Sequence, residues 1–139
     1  MILGIGTDLV DSRRVERLLD VHGQRFLMRV FTPIEQRYCL RQKTPSLALA
    51  KRFAAKEAFA KALGWGIGHQ LGWRDVGIES GARGQPELVV SLSAHERIAQ
   101  ALGAFSVKVS LSDETPYAMA FVIISTAFPQ SIPIGPLGN

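Results

Sequence analysis

Apolar residues recur three and four positions apart through Ser46–Gly64, SLALAKRFAAKEAFAKALG, and that period predicts a long α-helix rich in Ala, Leu and Lys. Its inward stripe reads Ala50, Phe53, Ala54, Glu57, Ala58 and Lys61. An acid and a base therefore stand in line with Phe53 and the alanines. Burying a carboxylate is costly unless a metal or counter-charge compensates it. The alternative is a solvated Glu57–Lys61 pair one turn apart, worth only about 0.2–0.5 kcal/mol.

The rest of the pattern divides into short helices first and strands later. Ile2–Gly6 predicts a buried strand ending at Thr7-Asp8. Asp11 or Ser12 caps a helix to about Asp20 that turns Val15, Leu18 and Leu19 inward. Thr32-Pro33-Ile34-Glu35 is a helix start, with Thr32 as cap, proline at the first position and Glu35 closing a capping box; the helix runs to about Arg41. Gly64 ends the long helix in the left-handed cap position. Beyond it the period shortens. Asp75–Glu79 and Glu87–Leu92 predict strands joined by a turn-rich segment, and Ser93, with Glu96, caps a helix that stops at Gly103. Phe105–Leu111 and Tyr117–Ser125 predict an antiparallel hairpin across Asp113–Pro116. The class expected is α+β, an antiparallel sheet with the long helix packed on it. It forms one domain over residues 1–125, followed by a flexible Pro/Gly-rich tail over 126–139.

Composition narrows the setting. The chain has 139 residues and one cysteine, Cys39, which excludes an internal disulfide and a cysteine zinc cage. The three histidines have no metal-ligand spacing. No apolar run reaches the ~18–20 residues of a membrane span. MILGIGTDLVD lacks the basic flank and cleavage site of a signal peptide. The expectation is a reducing, cytoplasmic setting with no membrane partner.

The net charge of +4 is uneven: residues through Lys61 hold 12 basic and 6 acidic side chains, and residues from Ala62 hold 4 and 6. A basic half suits an anionic ligand or an acidic protein. Nucleic acid would fit the charge alone, but no aromatic residues interleave the arginines and no nucleic-acid motif is present.

Three elements could converge on one chemistry. Asp8 stands just past the first strand, Glu57 projects from the long helix, and Gly64-Trp65-Gly66-Ile67-Gly68 follows that helix. Two carboxylates with no histidine or cysteine nearby suit a hard cation, and Mg²⁺ fits best because it combines one or two carboxylates with water and phosphate oxygens. The glycines let backbone N–H groups approach an anion. Arg52, Lys56 and Lys61 add positive charge. Each piece also has a plain explanation. Gly4-Ile5-Gly6 lacks the rest of a dinucleotide fingerprint and reads as close strand packing. Gly64–Gly68 follows a helix and so is no Walker loop, leaving an ordinary turn as the alternative. Asp8 could merely cap the next helix.

Together the pieces resemble the holo-acyl-carrier-protein synthase family, the small 4′-phosphopantetheinyl transferases. The resemblance runs from Gly4 to about Ser125, on Gly4-Ile5-Gly6-Thr7-Asp8-Leu9-Val10 with Arg14, and on Arg52-Phe53-Ala54-Ala55-Lys56-Glu57-Ala58-Phe59-Ala60-Lys61-Ala62-Leu63-Gly64. It implies transfer of phosphopantetheine from coenzyme A to a serine of apo acyl carrier protein, releasing adenosine 3′,5′-bisphosphate, a step of fatty-acid biosynthesis. Carried over by motif, Asp8 and Glu57 hold Mg²⁺ and Lys61 contacts phosphate. Arg52, Gly64, Gly66 and Gly68 bind substrate, and Arg14, with Arg13 and Arg17, meets the acidic carrier protein. It also implies a homotrimer with active sites at the subunit interfaces. The serine proton goes to a metal-bound water or to Glu57, the former favoured because a carboxylate on Mg²⁺ is a weaker base.

Two positions depart from the family pattern. Asp113 stands where many relatives have histidine, so no phosphate-binding role passes to it. Trp65 stands where a small polar residue is common, and either stacks on adenine or packs against a neighbouring subunit. Two other classes compete with this reading: a non-catalytic basic module for nucleic acid or an acidic protein, and a Mg²⁺-dependent nucleotide hydrolase.

Overall fold

The structure, a computed structural model, describes residues 1–127. A three-stranded antiparallel sheet has the order β1-β5-β4, from β1 (Ile2–Asp11), β4 (Phe105–Glu114) and β5 (Tyr117–Thr126). Between β1 and the hairpin come α1 (Ser12–His22), α2 (Gln24–Val30), α3 (Pro33–Leu40), α4 (Pro45–Leu63), a two-stranded ribbon β2 (Val76–Ser80) and β3 (Pro86–Val90), and α5 (Leu92–Leu102). The α+β expectation holds. Except for Thr126 and Ala127, the expected tail lies outside the described residues.

Several caps follow the sequence signals. Asp11 accepts a hydrogen bond from the Arg13 N–H, and Thr32 with Glu35 forms the capping box. Gly64 closes α4 at φ 75°, and Gly103 closes α5. Other boundaries move. The first strand runs on to Asp11, so Asp8 lies inside it, paired with Ala120, rather than past its end. The α5 cap is Ser91, whose Oγ accepts from the Ala94 N–H; Ser93 sits inside the helix. Asp113 and Glu114 belong to β4 rather than to a turn. Helix α2 has no counterpart in the sequence reading: its seven residues give too little periodicity to separate helix from buried loop.

Helix α4 is the centre of the molecule. Ala48, Leu49, Ala50, Phe53, Ala54, Ala55, Ala58, Phe59 and Ala60 are all buried, so burial goes nearly all the way round and not along one stripe. One side lies on the inner face of the sheet against Ala118, Ala120, Val122 and Ile124. The contact with β1 is closer still. A Cβ on Gly4 would strike the carbonyl oxygen of Ala62, and one on Gly6 that of Ala58. The Gly4-Ile5-Gly6 run is therefore a packing device, as its plain reading has it, and it brings the helix backbone down onto the strand.

Candidate active site

Because side chains alternate along β1, the face that presents Gly4 and Gly6 to α4 also presents Asp8. On α4, Glu57 and Lys61 are one turn apart on the side toward β1. Lys61 Nζ donates to Asp8 Oδ1 at 2.8 Å and to the Thr7 carbonyl at 3.0 Å. Glu57 is half-buried. Its carboxyl is pushed above the usual carboxylate range first by that burial and then by the negative charge of Asp8, while Lys61 and Arg14 act in the opposite direction. Asp8, Glu57 and Lys61, separated by up to 53 positions in the chain, thus share one electrostatic site.

Whether this site suits a divalent cation is decided by its donor set. Asp8 and Glu57 are close enough for the negative charge of Asp8 to add to burial in raising the proton affinity of the Glu57 carboxyl, with Lys61 already seated on Asp8. No cluster of three or more His, Cys, Asp and Glu side chains occurs among the described residues. The protein would thus supply two carboxylate oxygens and leave other positions to water or phosphate. That is how Mg²⁺ is usually held. The donors fit.

The remaining positive charges divide. Lys56 does not serve this site. It is fully buried, and its Nζ lies 2.7 Å from Glu35 Oε1 while donating to the carbonyls of Trp73, at 2.9 Å, and Val76. Glu35 in turn accepts the N–H groups of Thr32 and Ile78. The buried ion pair is therefore saturated with hydrogen bonds and ties α3, α4 and the start of β2 together. Arg52 is also buried, at 6% exposure, and stacks 4.3 Å from the Tyr38 ring, well around α4 from Glu57. The motif reading grouped Arg52 and Lys56 with Lys61; a helical period of 3.6 residues separates them.

After α4 the chain turns through Gly64, Gly66 and Gly68, with φ of 75°, 71° and 146°. A side chain at any of the three would be strained although space is open around each. Trp65 is half-buried and packs against the core. Asp113 pairs with Lys51 at 2.9 Å.

Beside Phe53 lies a groove of about 410 Å³ whose rim includes Arg14, His22, Arg25 and Arg29, with Phe53 and Trp73 among its walls. The two aromatic rings stack at 4.9 Å, and the Arg14 guanidinium sits 5.3 Å from the Phe53 ring. Of the three arginines expected to form a docking face, Arg14 lines this groove. Arg13 is turned back onto Asp11 at 2.6 Å and holds that carboxyl down at about 2. Arg25, Arg29 and Trp73 were not read from the sequence. Helix α2, which places the first two, was missed, and Trp73 follows a loop without periodicity.

Comparison with known proteins gives the arrangement a lineage. Residues 4–122 match the model of the 4′-phosphopantetheinyl transferase superfamily. A holo-(acyl-carrier-protein) synthase of Brucella ovis is 46% identical over 127 residues, covering 89% of this chain and 95% of that protein. The crystal structure of the Neisseria meningitidis holo-(acyl-carrier-protein) synthase superimposes with a TM-score of 0.82 at 42% identity, over 91% of this chain and 100% of that one. The Helicobacter pylori enzyme, solved in complex with coenzyme A, gives 0.77 at 30% identity, over 87% and 99%. The chain whose α4 carries Glu57 and Lys61 over Asp8 belongs to the 4′-phosphopantetheinyl transferase superfamily, among its holo-(acyl-carrier-protein) synthases.

Proposed function

We propose that this protein transfers 4′-phosphopantetheine from coenzyme A to a serine of apo acyl carrier protein, with Asp8, Glu57 and Lys61 as its reaction centre. The observation that carries the reading is their convergence across the β1–α4 contact, within a fold shared with a relative solved with coenzyme A. The serine Oγ forms a bond to the phosphorus bearing the pantetheine arm. The bond from that phosphorus to the bridging oxygen breaks, adenosine 3′,5′-bisphosphate leaves, and the hydroxyl proton is released. Positioning and charge neutralisation dominate such displacements.

Asp8 and Glu57 would hold the divalent cation, Mg²⁺ by their chemistry. What it supplies when bound is neutralisation of charge on the pyrophosphate oxygens. Lys61, 54% exposed at its side chain, can exchange Asp8 for a phosphate oxygen. The backbone N–H groups around Gly64, Gly66 and Gly68 offer donors to the nucleotide end. The groove rimmed by Arg14, Arg25 and Arg29 fits the acidic carrier protein, and Arg17 adds charge beside it.

The outer face of the sheet supports a homotrimer. Ile5, Leu9, Tyr117, Met119 and Phe121 are all exposed there, opposite the face that packs on α4. Such an arrangement would bring a neighbouring subunit close to Thr7 and Lys61, which line a depression with Phe121. A cytoplasmic location follows from this role; among the described residues no helix is long and apolar enough to cross a membrane. A nucleotide hydrolase would use the same carboxylates, but the arginine-rimmed groove beside Phe53 has no purpose in that reading.

Substitution tests the centre. Glu57→Gln and Asp8→Asn are expected to lower transfer about a hundredfold or more, and chelation of Mg²⁺ to abolish it reversibly. Wild-type rates for Glu57→Gln at saturating metal, with an unchanged pH profile, would remove both the ligand and the base role.

A further inference from the structure

The turn after α4 is built from residues that do not hold a shape by themselves. Gly64, Gly66 and Gly68 sit at positive φ with open space around each, and Gly66, Gly68, His69 and Gln70 are exposed. Glycine loses more freedom than any other residue when it is ordered, so a turn with three of them stays preorganised only if its surroundings restrain it. At the start of the turn the helix end does this. The Trp65 N–H donates to the Ala60 carbonyl at 3.2 Å, and Trp65 and Ile67 rest on the core.

At the far end the restraint is a side chain from α5. Arg97 Nε donates to the Gln70 carbonyl at 3.0 Å, across 27 positions of sequence, and Arg97 Nη2 reaches Asp75 Oδ2 at 3.4 Å. The same Oδ2 accepts the Gly72 N–H at 2.8 Å, while Asp75 Oδ1 accepts from Ser91 Oγ at 2.7 Å. Among the described residues, no other side chain hydrogen-bonds to residues 64–71. The Gly68 N–H closes onto the carbonyl of the fully buried Leu71 at 2.8 Å, and Gln70, whose carbonyl Arg97 holds, lies inside that closure. An ion pair as open to solvent as Arg97 and Asp75, at 41% and 25% exposure, adds little to the stability of the whole fold. Its effect is local, on the two backbone groups that flank Leu71.

We propose that Arg97 is a positioning residue for the nucleotide end of coenzyme A. It acts through the backbone of residues 66–70, holding in place the N–H groups that meet phosphate, and not by contact with the substrate. That role rests on the transferase reading of the turn.

Amide hydrogen exchange on the free protein needs no substrate. Arg97→Gln is expected to speed exchange of the Gly68 amide about tenfold or more, while β2 and the turn of α5 around the buried Ile98 keep their protection. In transfer assays the same variant is expected to raise KM for coenzyme A about five- to tenfold and to leave kcat and the KM for the carrier protein unchanged. Arg97→Lys, whose ammonium reaches one of the two acceptors but lacks the fork, is expected to fall between. Unchanged exchange at Gly68, or an unchanged KM for coenzyme A, would overturn the proposal. So would loss of protection spread over β2 and α5, the mark of a merely structural tie. A wild-type protein that transfers nothing sinks the transferase reading instead, and the exchange measurement alone then decides whether Arg97 orders the turn. Should Arg97→Gln fail to fold, Arg97→Lys carries both measurements.

Discussion

A single missing methyl group sets the spacing of this active site. Gly6 faces the carbonyl oxygen of Ala58, and α4 can come no closer to β1 with any larger residue there. Ala58 follows Glu57 directly, so a helix pushed off the strand takes Glu57 and Lys61 away from Asp8. Gly6→Ala is therefore expected to cost about 1–3 kcal/mol in stability, the range for overpacking, and to depress transfer activity even where the protein is fully folded. Thermal denaturation and transfer kinetics on the same preparation check both halves; a destabilised variant with unchanged kcat would contradict the geometric link. The sequence showed Gly4 and Gly6 as close packing but not against what. Likewise Glu57 and Lys61 are legible as anomalies on a helix face, whereas Lys56, grouped with them by the motif, belongs to the buried pair with Glu35. Adjacent residues of one charge look alike in a motif. Five residues at 100° each put Lys56 and Lys61 about 140° apart around α4, and that angle, with Glu35 arriving from α3, separates a buried structural ammonium from a solvent-facing one.

At the scale of elements, the long helix, its Gly64 stop, the Thr32–Glu35 box and the β4–β5 hairpin all follow from period and cap chemistry. Where the reading stopped short, tertiary contact outweighed local signal. Strand β1 continues past Gly6 because β5 offers partners as far as Tyr117, although Thr7-Asp8 reads as a strand end. Ser91 outcompetes Ser93 as a cap because its Oγ also donates to Asp75 at 2.7 Å, an anchor 16 positions away. Helix α4 is covered on nearly every side, so a single amphipathic stripe underestimates its burial. The cationic groove was half legible: α1 was read with its arginines, but Arg25 and Arg29 arrive on an α2 too short to announce itself.

For the whole molecule, the sheet is the unfinished part. One face is filled by α4, while the other presents Ile5, Leu9, Met119 and Phe121 to solvent, more apolar surface in one place than an isolated subunit has reason to keep. Light scattering is expected to give about three times the 15.2 kDa chain mass. Phe121→Lys, placed on that outer face, is expected to dissociate the assembly and to lower transfer with it. A monomer with full activity would contradict the idea that subunits complete one another's sites.

The central claim is the reaction itself, and intact-mass spectrometry of the acceptor tests it most directly. Apo acyl carrier protein incubated with this protein, coenzyme A and Mg²⁺ is expected to gain about 340 Da, one phosphopantetheine group, as displacement at phosphorus requires. A carrier protein of unchanged mass, under conditions where a known holo-(acyl-carrier-protein) synthase modifies it, would contradict the account.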